Sequence, residues 1–187
     1  MYLISLEPNT GGKMLKQYLC FMLVIILFRG GFAAVHLSDV YQQAEPGAGY
    51  DKLLVLEQDS VYTGGLSISN IRVAIRGNGA LINLQNGSII ISGEAQLDLD
   101  GCVIINGSYA ISVNENDNVS SFINQCTFYN NNIAIRFMTK TGNIEIVNTI
   151  LMNNSAYGFA CSHETSRMLH YIDAYGNEEN YVEWCPG

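Results

Sequence analysis

Charged residues and prolines are scarce in this chain of 187 residues. Asp, Glu, Lys and Arg make up 14% of the sequence, and 17 acidic residues against 9 basic ones give a net charge of −8. No basic stripe interleaved with aromatic residues is present. This acidic balance argues against nucleic acid or an anionic membrane surface as a partner. The three prolines and the 48% of hydrophobic residues are typical of strands that point alternate side chains into a narrow core.

Helical periodicity is missing from the second half of the chain, where a short repeat takes its place. Four tripeptides that each follow a short apolar strand recur at a nearly constant interval, and they begin at Ile104, Phe128, Leu151 and Ala174. A repeat of about 23–24 residues that consists of strands and turns excludes leucine-rich and helical repeats. The sequence therefore predicts an all-β fold, a parallel β-helix of five or six coils with one coil per repeat.

Asparagine occupies the same phase in three of these repeats, at Asn106, Asn130 and Asn153. At a corner between two strands one residue must leave the β region, often for the left-handed region that asparagine tolerates. We predict that the three side chains stack from coil to coil in a hydrogen-bonded ladder with a spacing of about 4.8 Å. The alternative is that they are ordinary loop asparagines.

The N-terminal segment has the composition of a targeting sequence. A basic stretch begins at Met14, an apolar run covers residues 19–28, and small residues follow up to Ala33. This order predicts a signal peptide over residues 14–33, with residues 1–13 as a start-site extension. A retained anchor is the alternative, although the run is shorter than an ordinary membrane span of about 20 residues. We expect a secreted or surface-displayed protein that has no membrane contact after signal removal.

Four cysteines follow the predicted signal peptide, in two pairs that have the same spacing, Cys102 with Cys126 and Cys161 with Cys185. That spacing is one repeat, so the members of each pair lie one coil apart. For Cys102 and Cys126, which lie in regular strands, a Cβ separation of about 4.8 Å favours stacked free thiols. Cys161 and Cys185 lie in less regular sequence, where an oxidising compartment allows a disulfide bond. No Cys-x-x-Cys motif supports zinc binding, and we expect no cofactor.

Sequence features at both ends of the chain resemble a known family. An amphipathic helix precedes Pro46-Gly47, and a strand after it leads into two glycine-rich motifs, with an aromatic motif near the end of the chain. These motifs are Tyr62-Thr-Gly-Gly65, Ile75-Arg-Gly-Asn-Gly79 and Tyr171-Ile-Asp-Ala-Tyr-Gly-Asn177. Their order is similar to that in secreted bacterial proteins with the pectate-lyase-like fold, a right-handed parallel β-helix.

The resemblance implies a right-handed β-helix whose first coil is covered by a capping helix and linker at residues 34–50. It specifies function weakly, because enzymes, adhesins and surface proteins share these features. Members of the family continue beyond such a Tyr-Gly-Asn stretch into further coils or another domain, whereas this chain ends at Gly187. We therefore expect a fragment in which residues 51–187 form a β-helix truncated at its C-terminus.

Asp98 and Asp100 are the candidate catalytic residues. They alternate with leucines, so both carboxylates leave the outer face of one strand about 6.6 Å apart, a separation that inverting glycosidases use. Arg76 lies one coil before Asp100, and an exposed ion pair accounts for Asp100 without catalysis. The Asp-Asp, Gly-His-Gly and Arg-x-Lys motifs of related enzymes are absent. The ion pair is therefore the favoured interpretation.

A second polar group contains His163, Glu164, His170 and Asp173. These residue types bind metals and transfer protons, and the first two lie in a predicted loop between coils. Their spacing matches no known ligand motif. We therefore expect no metal site.

Aromatic side chains offer a third surface, since the chain has eleven tyrosines and one tryptophan. Rings stack on sugars, so Tyr129, Tyr175, Tyr181 and Trp184 are candidate contacts to polysaccharide or cell-surface glycan. We expect a monomeric, exported scaffold that contacts glycans or mediates adhesion, without a catalytic site of its own. The alternative is a polysaccharide lyase or glycoside hydrolase of the pectate-lyase-like fold whose catalytic coils are missing or cryptic.

Overall fold

A computed structural model describes residues 34–162, 165–182 and 185 of the protein. Over these residues the chain forms a parallel β-solenoid of about six coils with one short helix, which confirms the predicted fold class. Each coil contributes a strand to each of three faces. Strands that lie one coil apart on the same face pair in parallel.

In the described part of the chain, 17 strands form the three faces, and two long strands pass from the first face to the second. The first face holds β2 (Lys52–Val55), β5 (Arg72–Arg76), β8 (Gln96–Asp100), β11 (Ser120–Asn124) and the opening halves of β14 (Asn143–Met152) and β16 (Ser166–Tyr175). The second face holds β1 (Val35–His36), β3 (Val61–Thr63), β6 (Leu81–Asn83), β9 (Val103–Ile105), β12 (Thr127–Tyr129) and the closing halves of β14 and β16. The third face holds β4 (Leu66–Ser69), β7 (Ser88–Ser92), β10 (Tyr109–Val113), β13 (Ile133–Phe137), β15 (Tyr157–Cys161) and β17 (Glu179–Tyr181).

The core is formed by the alternate residues of each strand that point inward. In β8, Leu97 and Leu99 are fully buried, while Asp98 and Asp100 are partly exposed on the outer surface. Burial of one such leucine stabilises the fold by about 1.5–3 kcal/mol. Because the period of the side chains is two and the register is continuous from coil to coil, apolar residues of one coil pack on those of the next.

The corners of the solenoid are formed by residues with left-handed backbone. One row of such residues separates the second and third faces, and a second row separates the first and second faces. The first row is Asn106 (φ 56), Asn130 (φ 54), Asn153 (φ 52) and Gly176 (φ 68); the second is Gly101 (φ 66), Gln125 (φ 51), Asn148 (φ 49) and Tyr171 (φ 56). Glycine and asparagine adopt this conformation at little cost, whereas a bulky residue such as tyrosine is strained in it.

A single helix, α1 (Leu37–Gln43), covers the first coil among the described residues. Its Leu37 is fully buried, and Val40, Tyr41 and Ala44 pack against the core, so the predicted capping helix is confirmed. Lys52 of β2 donates hydrogen bonds to the carbonyl oxygens of Gln42 (3.3 Å) and Ala44 (3.1 Å). These bonds satisfy carbonyls that a helix end leaves unpaired. No helix in the described part of the chain has the length and apolarity that a membrane span requires.

Candidate functional site

The corner between the second and third faces carries the asparagines that were predicted to form a ladder. Asn106 donates from Nδ2 to Oδ1 of Asn83 (3.2 Å), and Asn130 donates from Nδ2 to Oδ1 of Asn106 (2.7 Å). Asn153 shares the left-handed backbone, but its side chain makes no hydrogen bond to Asn130 among the described residues. The observed row therefore joins Asn83, Asn106 and Asn130, one coil earlier than the sequence suggested.

A cleft with a volume of about 660 Å³ opens along this corner. Its walls consist of asparagine, glutamine, glycine and serine; they include Asn83, Asn86, Asn106, Asn130, Asn132 and Ser155. These residues come from four consecutive coils, so the cleft extends about 14 Å along the solenoid axis at the usual strand spacing. We call it the asparagine cleft.

The surroundings of the asparagine cleft are free of charge. Residues 77–93, 101–114, 125–135 and 146–162 contain no Asp, Glu, Lys, Arg or His. These four segments supply the second face and its corner with the third face in four consecutive coils. The charged residues of the same coils lie mostly on the first face and in the loops that lead to it. The cleft therefore lies on an uncharged strip within an acidic protein.

Directly behind the cleft, a second row of asparagines joins Asn131 and Asn154, which are buried, to Asn177, which is partly exposed. Asn131 donates from Nδ2 to Oδ1 of Asn154 (3.1 Å), and Asn154 donates from Nδ2 to Oδ1 of Asn177 (2.8 Å). Backbone groups join the row, because Oδ1 of Asn131 accepts a hydrogen bond from the amide of Gly107 (2.8 Å). Asn131 and Asn154 are 2% and 1% exposed. The constant interval between Asn131, Asn154 and Asn177, which is one repeat, is the sequence signal that could have revealed this row.

The candidate aromatic contacts do not form one surface. Tyr129 and Tyr175 lie on the outside of the second face, 42% and 44% exposed, in a column with Met152 between them. Tyr181 pairs with Phe159 on the third face and packs against the core. Burial, and then the charge of Asp173, raise the pKa of Tyr181. Trp184 lies outside the described residues.

The two candidate catalytic aspartates lie on the first face, and each has hydrogen-bond partners. Asp100 Oδ2 is 3.5 Å from Nη1 of Arg76, and its Oδ1 accepts a bond from Nδ2 of Asn124 (2.8 Å). Asp98 accepts hydrogen bonds from the hydroxyl of Tyr50 and from Nε2 of Gln96 (3.2 Å). The bond to Asp98, with burial as a smaller cause, raises the pKa of Tyr50. Each carboxylate thus interacts with two neighbouring side chains.

Asp98 also lines a groove of about 370 Å³ on the first face, together with Glu145. Phe122 separates the two carboxylates, because Asp98 pairs with Phe122 and Phe122 pairs with Glu145 in successive coils. Two strand spacings place the two residues about 9.6 Å apart. Sequence reasoning did not select Glu145, although it lies in the same phase as Asp98, two coils later.

The second polar group of the sequence, which was not expected to bind a metal, lies only partly within the described residues. His170 and Asp173 lie in β16, on the first and second faces, whereas His163 and Glu164 lie outside the described residues. Among the residues that the structure describes, no three His, Cys, Asp or Glu side chains converge on a point where a metal ion could bind.

Cys102 and Cys126 occupy equivalent positions in neighbouring coils, at the corner between the first and second faces and not within strands as the sequence suggested, whereas Cys161 ends β15 on the third face. Cys161 and Cys185 form a disulfide bond with a Cα to Cα distance of 6.2 Å, and Cys102 and Cys126 are buried free thiols. Their mutual hydrogen bond and burial raise the pKa of Cys102 well above its ordinary value. Cys102 is therefore neutral and presents no reactive thiolate at physiological pH.

Comparisons of the chain with protein-family models, with curated proteins and with solved structures found no match. The parallel β-solenoid is thus established by the structure alone, and membership of the pectate-lyase-like family stays a prediction. Any function must be inferred from the outer surface of the coils.

Proposed function

We propose that the protein is an exported β-solenoid scaffold that contacts polysaccharide through the outside of its coils and has no catalytic site of its own. The observation that carries the proposal is the uncharged strip along the second face, with the asparagine cleft at its edge and exposed Tyr129 within it. Amide groups donate and accept hydrogen bonds as sugar hydroxyls do, and tyrosine rings stack on the apolar faces of sugars.

The state of the first-face carboxylates supports the non-catalytic part of the proposal. An acid or base catalyst must be free to exchange a proton with substrate. Asp100 is instead paired with Arg76 and Asn124, and Asp98 is bound by Tyr50 and Gln96. Both aspartates are therefore better explained as parts of the scaffold.

Export is supported by the N-terminal sequence and by the chemistry of the coils. Residues 14–33 have the pattern of a signal peptide, and the solenoid contains a disulfide bond, which persists in oxidising compartments. N-terminal sequencing of protein from the medium or cell surface tests this step. The expected first residue is Ala34, and an intact Met14 in the cytoplasm would contradict export.

Binding and turnover are tested together with pectin, alginate and xylan, with and without calcium. We expect retarded migration of the protein in gels that contain a bound polysaccharide, with dissociation constants from high micromolar to millimolar, because an open surface encloses little ligand. Assays for reducing ends and unsaturated uronates should show no product. Failure to bind any polysaccharide would refute the proposed contact, and product formation would refute the non-catalytic role.

A second candidate function is glycoside hydrolysis, and the groove that contains Asp98 and Glu145 favours it. Their strand positions lie about 9.6 Å apart, just above the separation of about 6.5–9.5 Å between the two carboxyl groups of inverting enzymes. If product forms, Asp98→Asn and Glu145→Gln should each abolish it. Glu115→Gln, an exposed change in the loop between β10 and β11, is the matched control and should leave activity unchanged.

A further inference from the structure

We infer that the asparagine cleft is the binding site and that it takes an uncharged, linear oligosaccharide lying along the solenoid axis. This inference rests on the proposed function and adds the place, the orientation and the class of glycan. Three properties of the cleft carry it: its unused hydrogen-bonding groups, its lack of charge and its rigid, elongated shape.

Several amide groups in the cleft have no partner among the residues that the structure describes. The Asn83–Asn106–Asn130 row uses Oδ1 of Asn83 and leaves its Nδ2 free, and it leaves Oδ1 of Asn130 free at the other end. Asn132 accepts a bond from Oγ of Ser155 (3.1 Å) and keeps both Nδ2 protons. The exposed amide of Asn86 is unused. The walls thus offer donors and acceptors side by side, which is the combination that hydroxyl groups match.

The absence of charge selects among glycans. A uronate polymer carries carboxylates, which only accept hydrogen bonds and lose hydration when they are bound. The cleft offers no lysine or arginine to compensate for that loss, and the net charge of the chain, −8, repels polyanions. Neutral hydroxyl groups have no charge to desolvate, and the acidic chain does not repel them. An uncharged glycan is therefore favoured over an acidic one.

The shape of the cleft favours a chain over a single sugar. Four coils contribute to its walls, so equivalent amides recur along the axis about every 4.8 Å. The hydrogen bonds between Asn83, Asn106 and Asn130 hold these amides in place, and the buried Asn131 anchors the adjacent Gly107 from behind. Groups that are already ordered lose little entropy on binding. An extended oligosaccharide can bond to several coils at once.

The test is calorimetric titration of the full-length protein with xylohexaose, cellohexaose, maltohexaose and hexagalacturonate. At least one neutral hexasaccharide should bind, and hexagalacturonate should bind about tenfold more weakly. The double variant Asn86→Gly, Asn132→Ala should weaken neutral binding about tenfold, since it removes two neutral hydrogen-bonding groups. Glycine suits Asn86 because that residue has a φ of 65°.

The matched control is Asn116→Ala, Asn118→Ala, which removes two exposed amides from the loop between β10 and β11 and should leave affinity unchanged. Thermal unfolding verifies that all variants fold. A separate variant, Asn132→Lys, adds a cation to the wall and should strengthen hexagalacturonate binding several-fold.

The outcomes separate the inference from the proposed function. Neutral binding that the cleft variant leaves intact would place the site elsewhere and overturn the inference, while glycan contact as such would stand. Tighter binding of hexagalacturonate than of every neutral hexasaccharide would overturn the charge argument alone. No binding of any hexasaccharide or polysaccharide would overturn both.

Discussion

Replacement of the buried Asn154 by alanine should destabilise the solenoid more than any change of a corner asparagine. Oδ1 of Asn154 accepts hydrogen bonds from the backbone amide of Asn131 (3.0 Å) and from its Nδ2 (3.1 Å). Nδ2 of Asn154 donates to Asn177 Oδ1 (2.8 Å) and to the carbonyl oxygen of Phe128 (3.4 Å). Alanine removes all four bonds from a site that is 1% exposed.

The magnitude follows from which groups are left without a partner. The backbone amide of Asn131 loses its bond to Asn154, and a buried unsatisfied donor costs about 1–3 kcal/mol. Nδ2 of Asn131 keeps the carbonyls of Ile104 and Tyr129, so its loss is smaller. With the other bonds at about 0.5–1.5 kcal/mol each, we expect a loss of about 3–5 kcal/mol in the free energy of unfolding. That loss is a large share of the stability of an ordinary domain.

Urea denaturation followed by circular dichroism measures this effect, with Asn153→Gly as the control. Asn153 is the adjacent residue, is exposed, and has a left-handed backbone that glycine adopts freely, so its replacement should change the free energy of unfolding by less than about 0.5 kcal/mol. Asn154→Asp keeps the acceptor and loses the donor, and it should remain less stable than wild type. An Asn154→Ala variant within about 1 kcal/mol of wild type would refute the role of the buried row.

Tyr171→Asn should raise the free energy of unfolding by about 1 kcal/mol, because asparagine is less strained than tyrosine at a φ of 56° and the ring is 85% exposed; a lower melting temperature would contradict this. Alkaline pH should destabilise the protein. The pKa of Cys102 is raised on folding. The free energy of unfolding should therefore keep its full value below the ordinary thiol pKa of 9.0, and above that pH it should fall by up to about 1.4 kcal/mol per pH unit. Cys102→Ala should flatten that dependence in denaturation curves measured from pH 8 to 10.5. Cys185→Ala should cost about 3 kcal/mol, the effect expected for loss of a cross-link that closes a loop of about 24 residues, and full retention of the melting temperature would argue against it.

The repeat period predicted the fold because every coil has nearly the same length. That common length places Asp100 opposite both Arg76 in the preceding coil and Asn124 in the next, as the structure has them. The same arithmetic identified the corner positions at Asn106 and Asn130. Local periodicity is thus sufficient to predict the contacts of a residue that touches its counterpart in the next coil.

The parts that sequence reasoning missed depend on distinctions within a coil. Asn131 and Asn154 directly follow corner asparagines, and the rule that asparagine belongs in exposed turns concealed that the second residue of each pair points inward. Tyr181 was grouped with exposed rings, but it pairs with Phe159, whose phase in the strand is inward. The contact of Tyr50 with Asp98 joins a linker without a repeat to the third coil of the solenoid, so no periodicity could predict it.

The central claim is that glycan binds along the uncharged corner and that the first-face groove does not bind it. The most direct measurement is a nuclear magnetic resonance titration of ¹⁵N-labelled protein with the neutral hexasaccharide that binds. We predict shifts for the side-chain amides of Asn86, Asn130 and Asn132, with Gln96 and Asn143 in the first-face groove unchanged. Shifts centred on Gln96 and Asn143, with the corner amides unmoved, would contradict the account and favour the hydrolase.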